Sequence, residues 1–244
     1  MTRPLTCPLL TQDHVTALDH LNLGRFDVGP GRRLIPISAW LITTAQGRHL
    51  LIDTGFPAAY AADERAAARA DGLDSFGRLV DFTPQHTILG ALALRDLTAA
   101  DIGHVILSHT HIDHIGGLAD FPDAEIIVHA AERALPRPLY FGPASRMDWP
   151  DARYRTLTGT TDICGGLQMI ATPGHSPGHM SALVTVGGVV TVLAIDAINR
   201  VSEPDEGYAD AADPVMAAQS GAHLMALARQ HGAALIPGHE PLPY

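Results

Sequence analysis

Short apolar runs separated by polar turns recur along most of the chain, and this pattern predicts an α/β fold rich in strands. β-Branched and aliphatic residues dominate the runs, as they do in buried strands. Gly187-Gly188 interrupts the longest run and indicates a hairpin turn rather than a membrane span. The predicted strands are Ile35–Thr43, His49–Ile52, His104–Ser108, Glu125–His129, Leu167–Thr172, Ser181–Val186, Val189–Ile195 and Ala234–Ile236.

Two other segments have the amphipathic spacing of helices. The first is Pro57–Arg69, which is rich in alanine. The second is Pro214–Gln230, where Asp213 fits the N-cap position and Pro214 fits the first helical position.

The stretch from Leu135 to Thr161 holds several prolines and is predicted to be irregular. It can be a covering loop, an aromatic wall beside a substrate pocket, or both. The side chains that would form such a wall are Tyr140, Phe141, Met147 and Trp149.

Composition indicates one compact domain over residues 1–244, because 46% of the chain is hydrophobic and 17% is charged, with no internal repeat or linker. The net charge of −10 should repel phosphate backbones, so we expect no nucleic-acid partner. Because the longest apolar run is interrupted, we expect no membrane partner either. The chain has no lysine, which excludes Schiff-base and P-loop chemistry. We expect a cytoplasmic protein, because Cys7 and Cys164 form no close pair. A monomer and a homodimer are both compatible with the sequence.

The strongest chemical signal is a cluster of metal-ligand side chains directly after the apolar run at residues 105–107. Imidazole and carboxylate suit Zn²⁺, and three protein ligands with one open position are typical of a catalytic ion. Two histidines of the cluster share one face of an extended turn, whereas the last two members begin a helix, so the segment can serve two ions. The four members are His109, His111, Asp113 and His114.

Three later turns offer the further ligands that two ions need, and each follows a short apolar run. His175 and His239 both come after Pro-Gly, a pair that enforces a sharp turn. Asp196 follows a predicted strand and could be a simple turn former. However, two nearby cations require a bridging negative charge, and this requirement favours Asp196 as the bridge.

Two more residues are candidates for supporting roles. Asp53 follows a predicted strand and could orient a ligating histidine, although a turn role is equally compatible. His179 lies four residues after His175, beyond Gly178, and is expected to support the site rather than bind the ion.

The spacing His-x-His-x-Asp-His, followed by a histidine, an aspartate and a histidine, resembles the metallo-β-lactamase superfamily over about residues 40–239. Within that family, three segments are most similar to N-acyl homoserine lactonases and related metallo-lactonases. They are Ile52-Asp53-Thr54-Gly55, the run from Thr172 to His179, and Pro237-Gly238-His239-Glu240-Pro241.

The resemblance implies a four-layer αββα sandwich in which two mixed sheets are flanked by helices. It also implies that His109, His111 and His175 bind one ion, that Asp113, His114 and His239 bind the other, and that Asp196 is shared. A tyrosine that usually contacts the substrate carbonyl in these lactonases is replaced here by Asn199. Asn199 could donate through its amide, Tyr208 could reach in from the same loop, or the substrate could differ.

We therefore expect a lactone-opening hydrolase that binds two divalent ions. Zinc is the expected ion, and iron, manganese and cobalt are the alternatives. A hydroxide between the ions would attack the ring carbonyl, and Asp113 would pass a proton to the leaving oxygen. The alternatives are hydrolysis of another ester, a thioester or a phosphotriester with the same metals, or iron-dependent sulfur dioxygenation.

Overall fold

A computed structural model describes residues 10, 12–29, 33–140 and 146–242. Two β-sheets lie face to face at its centre. The first has seven strands in the order β4-β1-β2-β3-β5-β6-β7, antiparallel from β4 to β3 and parallel from β3 to β7. Its strands are β1 (Val15–Asp27), β2 (Leu34–Thr44), β3 (His49–Ile52), β4 (Arg78–Val80), β5 (Ile102–Ile106), β6 (Glu125–His129) and β7 (Arg153–Leu157).

The second sheet has five strands in the order β12-β11-β10-β9-β8. Its β11–β12 pair is parallel and its other pairs are antiparallel, so both sheets are mixed. The strands are β8 (Thr161–Cys164), β9 (Leu167–Ala171), β10 (Met180–Val186), β11 (Val189–Ile195) and β12 (Ala234–Pro237).

Helices cover the outer face of each sheet and complete the predicted four layers. Those on the first sheet are α1 (Ala59–Ala62), α2 (Glu64–Asp71), α3 (Ile88–Ala93), α4 (Ile112–Ile115) and α5 (Ala130–Arg133). The second sheet is covered by α6 (Glu203–Glu206) and α7 (Pro214–His231). Short 3₁₀ turns occupy Leu73–Ser75, Pro84–His86, Ala99–Asp101 and Leu118–Asp120.

Three buried apolar clusters hold these layers together. Residues such as Ile52, Ile106 and Met169 fill the space between the sheets. A larger cluster lies between the first sheet and its helices, and a third lies between the second sheet and α7. The expected αββα sandwich is confirmed.

The second predicted helix is confirmed, because Asp213 accepts a hydrogen bond from the Met216 N–H at the N-cap of α7. The first is wrong in its continuity, since Pro57–Arg69 contains two short helices. Between them, Asp63 is extended at φ −153°, and its carboxylate accepts from the Ala66 N–H at 3.0 Å. The aspartate therefore begins a new helix instead of continuing the old one.

Every predicted strand is present with bounds within two residues of the observed ones. Four strands were not predicted, namely β1, β4, β7 and β8. The expectation of irregular structure from Leu135 to Thr161 is therefore wrong where β7 adds a parallel edge to β6. Among the described residues, no helix is long and apolar enough to span a bilayer. Cys7 and Phe141 lie outside the described residues.

Candidate metal centre and active site

The candidate ligands lie on four loops that leave the ends of strands in both sheets. The first loop follows β5 of the first sheet, and the others follow β9, β11 and β12 of the second. These strand ends meet at one edge of the sandwich. Rigid strands thus aim loop side chains at a common point.

Three imidazoles and one carboxylate form the first group, in which one ligand atom from each member lies within 4.8 Å of all the others. Nδ1 of His111 is 3.0 Å from Nε2 of His109 and 2.9 Å from Nε2 of His175. The carboxylate Oδ2 of Asp196 is 3.2 Å from Nε2 of His175.

Asp113, His114 and His239 form the second group, again with one ligand atom of each within 4.8 Å of the others. Oδ2 of Asp113 lies 3.5 Å from Nε2 of His114 and 3.5 Å from Nε2 of His239. Asp113 and His114 sit on the single turn of α4, which directly follows the His109–His111 loop. All seven side chains singled out from the sequence therefore converge.

Asp196 lies between the two groups. Its Oδ2 faces His175 of the first group at 3.2 Å and His239 of the second at 3.3 Å, while its Oδ1 is 3.5 Å from Nε2 of His114. Gly238 permits this approach, because a Cβ there would lie 2.8 Å from Asp196 Oδ1 and 2.6 Å from the Ile195 carbonyl oxygen. The placement is that of a shared carboxylate.

The donor set fits two divalent cations. Ligands bonded at about 2.0–2.1 Å around a tetrahedral ion are separated by about 3.3 Å, close to the observed spacings. The buried atoms His114 Nε2 and Asp196 Oδ1 have no hydrogen-bond partner among the described residues. A cation at each group would satisfy these atoms, since unpaired buried polar atoms are costly.

Asp53 contacts one of the histidines directly and a second through Ser108. Its Oδ2 accepts from His114 Nδ1 at 2.8 Å and from the Ser108 hydroxyl at 2.7 Å. Because the hydroxyl proton of Ser108 goes to Asp53, Ser108 Oγ accepts from His109 Nδ1 at 3.0 Å. Both imidazoles thereby keep Nε2 free toward the site. The residue also sits in a turn, with φ of +65°.

His179 lies beside Asp196 and belongs to neither candidate ligand group. Its Nε2 accepts from the backbone N–H of Asp196 at 3.1 Å, so its Nδ1 donates to the Thr172 hydroxyl at 2.9 Å. A further hydroxyl, Ser181 Oγ, lies 2.9 Å from that of Thr172 and donates to the Ala194 carbonyl. This buried chain fixes the backbone from which Asp196 projects. His239 is similarly anchored, since its Nδ1 donates to the carbonyl of residue 36 at 2.9 Å.

Burial and neighbouring carboxylates act differently on the two groups of imidazoles. Burial holds the pKa of His109 well below its ordinary range and lowers the pKa of His175 to about 3. Burial also opposes the charging of His239, but the carboxylates of Asp196 and Asp113 outweigh it and raise the pKa of His239 to about 9. Burial lowers the pKa of His111 as well, so the structure favours the neutral form of the imidazoles in the first group, which is the form that binds a cation.

A cavity of about 790 Å³ opens beside the two groups, and this size is typical of small-molecule sites. Ligand-type side chains from both groups line its floor. An apolar wall faces them and consists of Phe26, Val28, Ile35, Phe56, Leu73 and Phe76. The arrangement suits a molecule with one reactive polar end and one apolar end.

Asn199 lines the same cavity, whereas Tyr208 packs its hydroxyl against Gly221 of α7. The backbone N–H of Asn199 and its Nδ2 both donate to the buried Glu203, the second at 3.2 Å. Its Oδ1 is buried without a partner among the described residues. Among the described residues, Oδ1 of Asn199 is therefore an acceptor without a donor, while Glu203 accepts from one of the two Nδ2 hydrogens.

The predicted aromatic wall is present only in part. Tyr140 lines the cavity and pairs through its backbone with Thr110 and Ile112. Met147 and Trp149 pack instead against the cluster between the first sheet and its helices. Of the described members of this predicted wall, Tyr140 alone lines the cavity.

Comparison with known proteins decides the family. The sequence pattern that defines the metallo-β-lactamase superfamily matches residues 32–239. The chain belongs to this superfamily. An N-acyl homoserine lactonase of Bacillus thuringiensis is 30% identical over 234 residues, which cover 91% of this chain and 88% of that protein. The lactonase AttM of Rhizobium radiobacter is 32% identical over 225 residues, which cover 85% and 82%.

Solved structures of the superfamily agree. A mutant of Bacillus thuringiensis AiiA with N-decanoyl-L-homoserine bound at the active site superposes with a TM-score of 0.81, at 25% identity over 93% of this chain and 94% of that one. An N-acyl homoserine lactone hydrolase with its product N-hexanoyl-L-homoserine at the catalytic metal center superposes with a TM-score of 0.80. Its sequence is 26% identical, over 93% of this chain and 94% of that one. The resemblance found in the sequence motifs is confirmed.

Proposed function

We propose that the protein is a dinuclear metal-dependent hydrolase that opens the ring of N-acyl homoserine lactones. The observation that carries this proposal is the convergence of seven ligand side chains in two groups joined by Asp196. The choice of substrate is supported by relatives that are N-acyl homoserine lactonases and that this chain matches over most of their length. The apolar wall of the cavity supports an acyl chain as the second half of that substrate.

We propose zinc as the ion at both sites, because the donors are imidazole nitrogens and carboxylate oxygens without a thiolate. His109, His111 and His175 would hold one ion, Asp113, His114 and His239 the other, and Asp196 both. Two bound zinc ions would supply Lewis acidity for the ring carbonyl and lower the pKa of the attacking water to about 7.

The protein residues have definable tasks in this reaction. Water adds to the ring carbonyl carbon, and the bond from that carbon to the ring oxygen then breaks. Asp113, 15% exposed and facing the cavity, would take the proton of the water and deliver it to the departing ring oxygen. The products are an alcohol and a carboxylic acid on one molecule, and the acid then releases its proton to the solvent.

Asn199 would position the substrate. Its Oδ1 has no hydrogen-bond partner among the residues that the structure describes, and an acylated homoserine lactone carries an amide N–H next to its ring. A hydrogen bond between them would satisfy both buried atoms. This role differs from that of a tyrosine hydroxyl, which donates to a carbonyl.

The test is acid release from a panel of N-acyl homoserine lactones by zinc-loaded protein. We expect ring opening by the wild type and a loss of at least 100-fold in kcat/KM for His111→Ala. His223→Ala, on the exposed face of α7, is the matched control and should keep wild-type activity. Failure of the zinc-loaded wild type to open any lactone would refute the substrate assignment.

A further inference from the structure

The carboxylate of Glu132 is fully buried between two of the ligand loops, at 0% exposure. Its Oε2 accepts from the Thr110 hydroxyl at 2.6 Å. Its Oε1 accepts from the Ser176 hydroxyl at 2.7 Å and from the Gly178 N–H at 2.9 Å. The donors found for it on the described residues are therefore neutral groups on these loops.

The positions of these donors in the chain connect Glu132 to the first ligand group. Thr110 lies between His109 and His111, and Ser176 directly follows His175. One carboxylate thus joins the two chain segments that supply all three imidazoles of that group. The loops lie 64 residues apart in sequence, as counted between His111 and His175.

The backbone at Gly178 packs so closely against Glu132 that no side chain fits between them. A Cβ on Gly178 would lie 2.7 Å from the backbone nitrogen of Glu132 and 2.8 Å from its Cγ. Glycine is therefore required where the second loop meets the carboxylate. A buried carboxylate costs free energy unless its oxygens are hydrogen-bonded, so these contacts hold the two loops together specifically.

We propose that Glu132 is a positioning residue for the metal centre, which sets the separation of the two loops before an ion binds. The inference rests on the proposed dinuclear site. In the structure this separation places Nε2 of His175 2.9 Å from Nδ1 of His111. Removal of the carboxylate leaves three donors without an acceptor, and the ligand pair is then no longer preorganised.

The experiment measures zinc dissociation constants of the full chain by chelator competition, together with hydrogen exchange of the Gly178 amide in metal-free protein. Glu132→Leu should weaken zinc binding about 10–100-fold and speed exchange. Glu132→Gln keeps an acceptor for Ser176 and Gly178, so it should restore most of the affinity. Asp13→Asn is the matched control, because it alters a buried carboxylate remote from the ligands and should leave zinc affinity unchanged.

A double-mutant cycle separates positioning from general destabilisation. Ser176→Ala should weaken zinc binding severalfold in the wild type and have little further effect in Glu132→Leu, since its partner is already gone. If Glu132→Leu does not fold, Ser176→Ala and Thr110→Val decide the matter alone. The inference is overturned if the zinc dissociation constants of these variants lie within threefold of the wild-type value. If the wild-type protein binds no zinc, the proposed function is overturned instead.

Discussion

Oδ2 of Asp53 lies 2.8 Å from Nδ1 of His114, and this contact decides which imidazole nitrogen faces the site. A carboxylate only accepts, so Nδ1 carries a proton and Nε2 is the nitrogen that faces the proposed metal site. The same carboxylate receives the backbone N–H of Ser108 at 2.8 Å. Asp53 thus couples the end of β3 to the loop after β5.

Asp53→Ala should therefore lower zinc affinity by about 10–100-fold, with the larger loss at the group that contains His114. Metal content after dialysis against a weak chelator measures the effect. Asp81→Asn is a suitable control, since Asp81 is also an aspartate at positive φ but is exposed and paired with Arg25. Equal metal retention in Asp53→Ala and the wild type would contradict the assigned role.

Gly238→Ala should separate His239 from Asp196. The new Cβ would lie 2.6 Å from the Ile195 carbonyl oxygen, closer than real Cβ contacts allow, so the loop after β12 has to move. We expect loss of one of two bound ions and a fall in kcat of at least tenfold. Gly159→Ala is the matched control, because nothing lies within 4 Å of its Cβ position. Full metal content in Gly238→Ala would count against Asp196 as a shared ligand.

The apolar wall should set acyl-chain preference. Phe76 is 43% exposed and stacks on Phe26 at 6.1 Å, at the cavity rim. Phe76→Ala should reduce the ratio of kcat/KM for a decanoyl over a butanoyl lactone roughly tenfold, since each buried methylene contributes about 0.8 kcal/mol. Phe82→Ala, which alters a ring outside the cavity wall, should leave this ratio unchanged. An unaltered ratio in Phe76→Ala would place the acyl chain elsewhere.

Asp13 provides a test of pH-dependent stability away from the metal centre. Burial acts to raise the pKa of Asp13, but hydrogen bonds from Thr44 and two backbone N–H groups, with the charge of Arg48, lower it overall. Because the pKa is lower in the folded state, ionised Asp13 stabilises the fold at pH values above its unfolded pKa of about 3.9. This stabilisation is lost as the pH falls through the pKa of the folded state.

The free energy of unfolding of Asp13→Asn should thus be about 1–3 kcal/mol below that of the wild type at pH 7, a difference that shrinks as the pH approaches 3. Urea unfolding of both proteins in chelator, so that metal loss does not contribute, measures it. A difference that stays constant with pH would show that ionisation of Asp13 does not stabilise the fold.

The seven candidate ligands could be identified from the sequence because each one follows a recognisable strand or a Pro-Gly turn. β1 could not be predicted, because its register shifts between Val15 and Ala17 and again between Asn22 and Arg25, which breaks the two-residue alternation of buried positions. Within the described part of the chain, the short edge strand β4 pairs with β1 alone, and it has three residues. Neither carries a local signal strong enough to identify it.

Glu132 was missed for a different reason. From the sequence, a glutamate on a four-residue helix is expected to be exposed to solvent. Glu132 is buried because loops that are distant in the chain cover it. The only local hint was the presence of hydroxyl residues beside the ligands, at Thr110 and Ser176. Asn199 was identified from its position, but its hydrogen bonds to Glu203 could not be foreseen.

The central claim is tested most directly by elemental analysis of the purified protein, with lactone hydrolysis followed on the same sample. The account predicts about two zinc ions per chain, loss of ring opening on chelation and its recovery with added zinc. Undiminished lactone hydrolysis by protein that contains no bound metal would contradict it.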